Sequence, residues 1–259
     1  MIRLIFAFLL PALFAGNAWA SQPNDWTRVR IGIVDHYAPF SFINHRGQPE
    51  GFDIDIASAL CRQMEAECQF IKREWTDLIP ALLARQFDAI IASMSITEER
   101  RRLIDFSQHY YRTSAAFVVT RASNIRDTSP QAMKGRIIGV VTDTVQASYA
   151  KRVYEPEGVS LKFYSSVAEE QYDLVRGRVD AIFADRIALH EWLEKSPQGR
   201  CCIFAGEIRD RAIIGEGIGV GLRKEDQDLK AKFNAALETI LANGIYQKIN
   251  DKYFPFSVY

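Results

Sequence analysis

From residue 29 onward the spacing of apolar positions switches between strand-like and helix-like periods in a regular order. "VRIGIVDHY" (29–37) has the pattern of a strand running into a polar loop. "DIDIASALCRQMEAE" places Ile54, Ala57, Leu60 and Met64 on one helical face, with the helix opening at Asp53. "CQFIKREW" reads as a strand. "TDLIPALLARQ" reads as a helix with Thr76 as candidate cap and Pro80 in its first turn, where amide donors are spare. "FDAIIAS" (87–93) closes the series as a short buried strand. Strands alternating with helices predict a parallel sheet covered by helices.

The series then restarts. "RIIGVVTDT" (136–144) echoes the first strand, "LKFYS" is a second strand, and "SVAEEQYDLVRG" is a helix ended by Gly177. "RVDAIFAD" repeats the "FDAIIAS" phrase, ending at 185 in aspartate instead of serine. Two α/β lobes on similar plans are expected. Two extended stretches, "RTSAAFVVTRAS" (112–123) and "GEGIGVGLRK" (215–224), would carry the chain across and back. The lobes are then residues 21–112 with 213–259, and residues 113–212. The tail "EDQDLKAKFNAALETILANG" is amphipathic through Leu229, Phe233, Leu237 and Leu241 and stops at Asn243-Gly244. "IYQKINDKYF" should pack back on the first lobe. The glycines at 215–221 lie in an extended stretch without the strand-to-helix setting of a dinucleotide loop, so they read as a hinge or a close backbone approach.

Composition adds the compartment. The first twenty residues have Arg3, the apolar run "LIFAFLLPALFAG" and "AWA" ending at Ala20, the pattern of a signal peptide cleaved after about Ala20. No cysteine precedes Cys61, which argues against a lipid anchor. Charge is balanced, 32 basic against 32 acidic residues. Loss of Arg3 leaves a net charge of −1, and no basic block suggests nucleic acid. Export permits disulfides. Cys61 and Cys68 enclose "RQMEAE" and are expected to be bridged, whereas the adjacent Cys201 and Cys202 are read as free or partly buried, because disulfide geometry favours Cα atoms more than about 4.4 Å apart. The four histidines (36, 45, 109, 190) show no metal-ligand spacing, and no cofactor loop is present.

Ligands of parallel α/β sheets bind beyond the carboxyl ends of the strands. Ser93 and Asp185 occupy that position in their lobes and would converge on one cleft. After Ser93 comes "SMSITEERR", in which Arg100 could hold a carboxylate through paired charge-assisted bonds, while Asp185 could hold an ammonium. Together they suit the zwitterionic end of a free amino acid. The plainer alternatives are an interlobe salt bridge for Arg100 and a helix cap for Asp185.

"YAPFSF", "GFDIDIASALC", "LIPALLARQFDAIIASMSITEERR", "GVVTDT", "GRVDAIFAD" and "GVGLRKED" resemble the periplasmic polar-amino-acid-binding proteins of ABC importers, of the lysine/arginine/ornithine and histidine type, over about 28–256. The resemblance implies a two-lobed periplasmic clamp, two parallel-type α/β domains joined by two hinge strands, and a Cys61–Cys68 disulfide. It implies a monomer without cofactor or enzymatic activity that docks transiently on a membrane permease. Arg100 would take the ligand carboxylate, with main-chain donors around Ser95 and at Thr144 and Val145. Asp185, Ser93 and Ser95 would take the ammonium, and Tyr37 and Trp75 would sandwich the side chain. Met94 and Val141 complete the implied ligand set. Val34 stands where the cationic binders carry an aspartate, with Asp35 offset by one, and Ala92 replaces a serine. Asp143, in the changed turn "TDTVQ", or Glu50 could supply the missing charge. Arginine, lysine, ornithine and histidine lead as ligands, with glutamine or an opine-like derivative still open. Two rivals are a cyclohexadienyl dehydratase on the same scaffold and a ligand sensor for a chemoreceptor or kinase.

Overall fold

The structure, a computed structural model, describes residues 25–209 and 214–259. The segment read as a signal peptide and the expected lobe boundary at 212–213 lie outside the described residues.

The first lobe is built on β1 (Arg28–Ile33), β5 (Glu67–Lys72), β6 (Ala89–Ile90), β7 (Asp105–Tyr111) and β13 (Ile218–Leu222), in the order β5-β1-β6-β13-β7. β1 pairs parallel with β5 and β6, while β13 runs antiparallel to β6 and β7. The second lobe uses β8 (Ala115–Thr120), β9 (Ile137–Val141), β10 (Ser160–Tyr164), β11 (Ala181–Asp185) and β12 (Cys202–Ile208) in the order β10-β9-β11-β8-β12. Here β9 pairs parallel with β10 and β11, and β8 runs antiparallel to β11 and β12. The two plans match strand for strand. In each sheet the fourth strand is a crossing segment: β8 carries the chain into the second lobe and β13 belongs to the return. Both sheets are therefore mixed rather than wholly parallel, because a chain that enters and leaves through the sheets must run against their parallel strands.

Helices α1 (Phe52–Gln63), α7 (Gln227–Ala242) and α8 (Ile245–Tyr253) pack on one face of the first sheet. α2 (Leu78–Leu83) serves the other face, and α3 (Glu98–Leu103) lies against β7. The C-terminal helix docks on the first lobe as expected: Tyr246 donates to the Tyr110 carbonyl, and Lys252 pairs with Asp55. Thr76 does not cap α2. Trp75–Asp77 forms a 3-10 turn that runs straight into the helix, and no side chain caps its first donors. α1 starts at Phe52, one residue before Asp53.

The second sheet carries α4 (Val145–Val153), α5 (Val167–Val175) and α6 (Arg186–Lys195), capped by Thr144, Ser166 and Asp185 respectively. A small antiparallel sheet of β2 (His36–Tyr37), β3 (Ser41–Ile43) and β4 (Pro49–Glu50) follows β1. The 215–221 stretch is a place of close approach: Gly217 has φ 125°, and a Cβ there would stand 2.8 Å from the Cβ of His109.

Cys61 and Cys68 are disulfide-bonded, tying the end of α1 to β5 with a Cα separation of 5.9 Å. Cys201 and Cys202 are paired with each other, which corrects the expectation of free thiols. Their Cα atoms are 3.8 Å apart, the spacing of the one peptide they share. Cys202 is buried and Cys201 exposed.

Candidate functional site

The carboxyl ends of both parallel sets face one cavity of about 110 Å³ between the lobes. Residues from both lobes line it: Val34, Tyr37, Trp75, Ser93, Ser95 and Arg100 from the first, and Val141, Thr144, Val145, Phe183 and Asp185 from the second. Nine of the ten expected site residues are among them.

The tenth, Met94, is not. Its side chain is 1% exposed in the core with Leu78, Phe87 and Ile104. Met94 joins Ile90, Ala92 and Ile96 in that one apolar cluster, of which Ala92 also touches the cavity, while Ser93 and Ser95 line it.

Ser93 marks where the chain leaves the sheet. Its φ of 54° is left-handed, uncommon for a serine. Its hydroxyl donates to Asp53 Oδ2 at 2.9 Å, and its oxygen lone pairs remain available as acceptors. Asp53, fully buried, also accepts from the Tyr110 hydroxyl at 2.9 Å. Burial pushes the Asp53 carboxyl up to about 7, against the lowering effect of the Ser93 and Tyr110 bonds. The sequence reading took Asp53 only as a helix opening. The signal it lacked was the partner strand, since Tyr110 lies 57 positions away.

Thr97 caps α3, its hydroxyl accepting from the Arg100 N–H at 3.2 Å. The six-residue helix thereby turns Arg100 inward. The guanidinium donates to the Ser95 carbonyl at 2.9 Å and, across the cleft, to the Asp143 carbonyl at 3.0 Å. It lies 5.2 Å from the Trp75 ring centroid, a cation–π contact, and Trp75 Nε1 donates to the same Asp143 carbonyl at 3.3 Å. Burial lowers the Arg100 pKa to about 10 without threatening its charge at neutral pH. Asp143 itself is left-handed at φ 58°. The two lobes meet at its carbonyl. Among the described residues Arg100 forms no ion pair with the opposite lobe, so the interlobe contact is a charge-assisted main-chain bond.

On the opposite wall Asp185 is 7% exposed. Its Oδ1 accepts from the Ile187 and Ala188 N–H groups at 2.8 and 3.0 Å, so the helix-cap reading holds as well as the cleft position. Burial raises its carboxyl to about 6, opposed chiefly by the Ala188 N–H, the Thr113 hydroxyl and the Ile187 N–H. Thr144 donates to the Val141 carbonyl at 2.7 Å and accepts from Ala147 N–H at 3.1 Å, fixing the N-terminus of α4 at the cavity.

Tyr37 stacks on Phe40 at 5.3 Å between ring centroids. Val34 and Asp35 both line the cavity, and Asp35 pairs with His36 at 3.1 Å and Lys72 at 3.4 Å. Glu50 does not line it, because its carboxylate accepts from Asn44 within the small sheet. Asp143 meets the first lobe through its carbonyl. The sequence reading also passed over Ser165, Ser166 and Val167, which bring the start of α5 into the cavity wall.

A family profile, bacterial extracellular solute-binding proteins family 3, matches residues 29–256. The chain belongs to that family. This solute-binding protein is 43% identical over 260 residues to an L-arginine-binding protein of Pseudomonas aeruginosa, covering 100% of this chain and 98% of the relative. It is 37% identical over 257 residues to the lysine/arginine/ornithine-binding periplasmic protein of Escherichia coli K12, covering 99% and 97%. Among solved structures, an ancestral arginine-binding protein bound to arginine superposes on the solute-binding protein with a TM-score of 0.82 at 31% identity, over 89% of this chain and 100% of that one.

Proposed function

We propose that the protein captures a free polar, basic amino acid between its two lobes in the periplasm and delivers it to a membrane ABC permease. The observation that carries the reading is the pairing of Arg100 on one wall of the cavity with Asp185 on the other. A zwitterion brings a carboxylate to the first and an ammonium to the second. Arg100 and the N–H groups at Thr144 and Val145 hold the carboxylate. Asp185, with the Ser93 and Ser95 oxygens, holds the ammonium. Tyr37 and Trp75 flank the side chain, and Val141 closes the apolar wall.

The lobes are residues 21–112 with 213–259, and residues 113–212, with a signal peptide over 1–20 cleaved after Ala20. Capture is a hinge transition, because a ligand that touches both walls favours the closed arrangement over the open one. In that arrangement Arg100 and Trp75 reach the Asp143 carbonyl. The protein works as a monomer that docks transiently on its permease and performs no chemistry on its ligand. The Asp185 carboxylate is held in place by two helix N–H groups on Oδ1, which leaves Oδ2 for the ligand ammonium.

A thermal-shift screen over the free amino acids and ornithine tests this reading. A ligand at a hundred times its dissociation constant adds about 2.7 kcal/mol to the folded state. Stabilisation by one or more basic amino acids is expected. A screen in which no amino acid raises the melting temperature would refute it.

A further inference from the structure

Glu170 lies on α5 with its side chain fully buried, and among the described residues neither carboxylate oxygen has a hydrogen-bond partner. Neighbouring acids on the same helix are served very differently. Asp173 accepts from Lys162, Tyr164 and Arg178, and Glu169 accepts from Ser165. An acid left alone in the interior costs several kcal/mol if ionised, so such groups stay neutral until a cation or donor reaches them. Burial accordingly holds the Glu170 carboxyl well above the usual range.

Its position gives that cation a source. Ser165, Ser166 and Val167 line the cavity, and α5 starts there. Glu170 does not itself line the cavity but stands one turn behind Ser166 and Val167. A helical side chain leans toward the N-terminus over the residues three and four before it, which is the cleft side here. From the opposite lobe β2 packs against α5. Glu170 joins Asp185 and Asp53 in holding the Tyr37 phenol above its usual range, after burial itself. Val34, on the facing wall, brings no charge. The other acids at this end line the cavity but are occupied or wet: Asp35 pairs with Lys72 and His36, and Glu74 is exposed to solvent.

Resting on the amino-acid capture proposed above, we infer that Glu170 is the specificity-determining acid of the cleft, receiving the guanidinium or ammonium end of a basic side chain that passes Tyr37 to the Ser166–Val167 wall. The ligand supplies the positive charge and donors that no group among the described residues gives Glu170, and a neutral side chain of the same shape does not. Discrimination in favour of basic amino acids then comes from the second lobe and a buried carboxyl.

Calorimetry with L-arginine and its neutral isostere L-citrulline tests the assignment on the wild type, Glu170→Gln and Glu74→Gln. The wild type should prefer arginine. Glu170→Gln should weaken arginine by at least about tenfold, the smaller end of what an unpaired buried charge costs, and leave citrulline within about threefold. Glu74→Gln should leave the preference within about threefold, as suits an exposed acid. Glu170→Asp, which keeps the charge on a shorter stem, should recover part of the preference, and it carries the test should the glutamine variant fail to fold. An unchanged arginine-to-citrulline ratio in Glu170→Gln, or equal losses for both ligands, overturns the inference alone. A wild type that binds arginine and citrulline equally does so too. A wild type that binds no amino acid overturns the capture reading and this inference together.

Discussion

The phrases "FDAIIAS" and "VDAIFAD" make nearly the same buried strand and leave it in opposite ways. Ala89 and Ile91 fall in one core cluster of the first lobe, and Ile90 and Ala92 in the other. Ala181 and Phe183, against Ile182 and Ala184, are divided the same way in the second lobe. The shared letters therefore serve packing on the two faces of equivalent central strands. The exits differ. After Ser93 the backbone turns left-handed, and the cation arrives seven residues later on α3, whose cap is a separate residue, Thr97. Asp185 is at once the last residue of its strand, the cap of the next helix and the charge in the cleft. One wall divides cap from charge and the other combines them.

That division can be tested first through its largest effect. Arg100→Ala removes the cation and leaves the Thr97 cap in place. It should weaken amino-acid binding by about 2–5 kcal/mol, the cost of an unpaired buried carboxylate, or roughly thirtyfold to several-thousandfold. Calorimetry that finds wild-type affinity in the variant would remove Arg100 from the site.

Asp185→Asn separates the roles combined on the other wall, since asparagine caps helices about as well as aspartate. Affinity should fall by about 1.5–3 kcal/mol, the range of a hydrogen bond to a charged group. Its pH profile is more telling. The folded carboxyl titrates near 6, above its ordinary value of 3.8, so the stability it contributes is full below 3.8 and is lost as pH rises through 6. The free protein should lose up to roughly 3 kcal/mol from this group over that window. Ammonium binding needs the ionised form, so wild-type affinity should strengthen over the same window. Asp185→Asn should flatten both slopes. Profiles of variant and wild type that superimpose would show that Asp185 does not titrate in the cleft.

Much of this arrangement was legible in the chain, for physical reasons that also mark where reading stops. Local periodicity places a helix face such as Ile54, Ala57 and Leu60, all buried here. The repeated phrase revealed the lobes because one packing problem was solved twice. The mixed character of the sheets was harder to see, because β13 reaches β6 from more than a hundred residues away. Met94 packs its side chain into the core, which spacing alone does not decide, because Ala92 of the same cluster also lines the cavity. Glu170 could have been noticed from its own spacing. It falls on the helix face of Val167 and Leu174, and an acid on an apolar face is a question even before a structure answers it. The Cys201–Cys202 pairing was not accessible, since spacing argued against it.

The smallest effect probes the cap by itself. Thr97→Ala removes the acceptor of the Arg100 N–H at 3.2 Å and leaves the guanidinium bonds to the Ser95 and Asp143 carbonyls intact. Loss of such a cap costs about 1 kcal/mol, measurable as a lower urea midpoint at unchanged slope. Affinity should change by less than about threefold, because the side-chain contacts that aim Arg100 survive. If instead Thr97→Ala weakened binding as much as Arg100→Ala, the division of labour on this wall would be illusory. The start of α3 would then have to be treated as part of the binding site, as the start of α6 already is on the wall where one aspartate does both jobs.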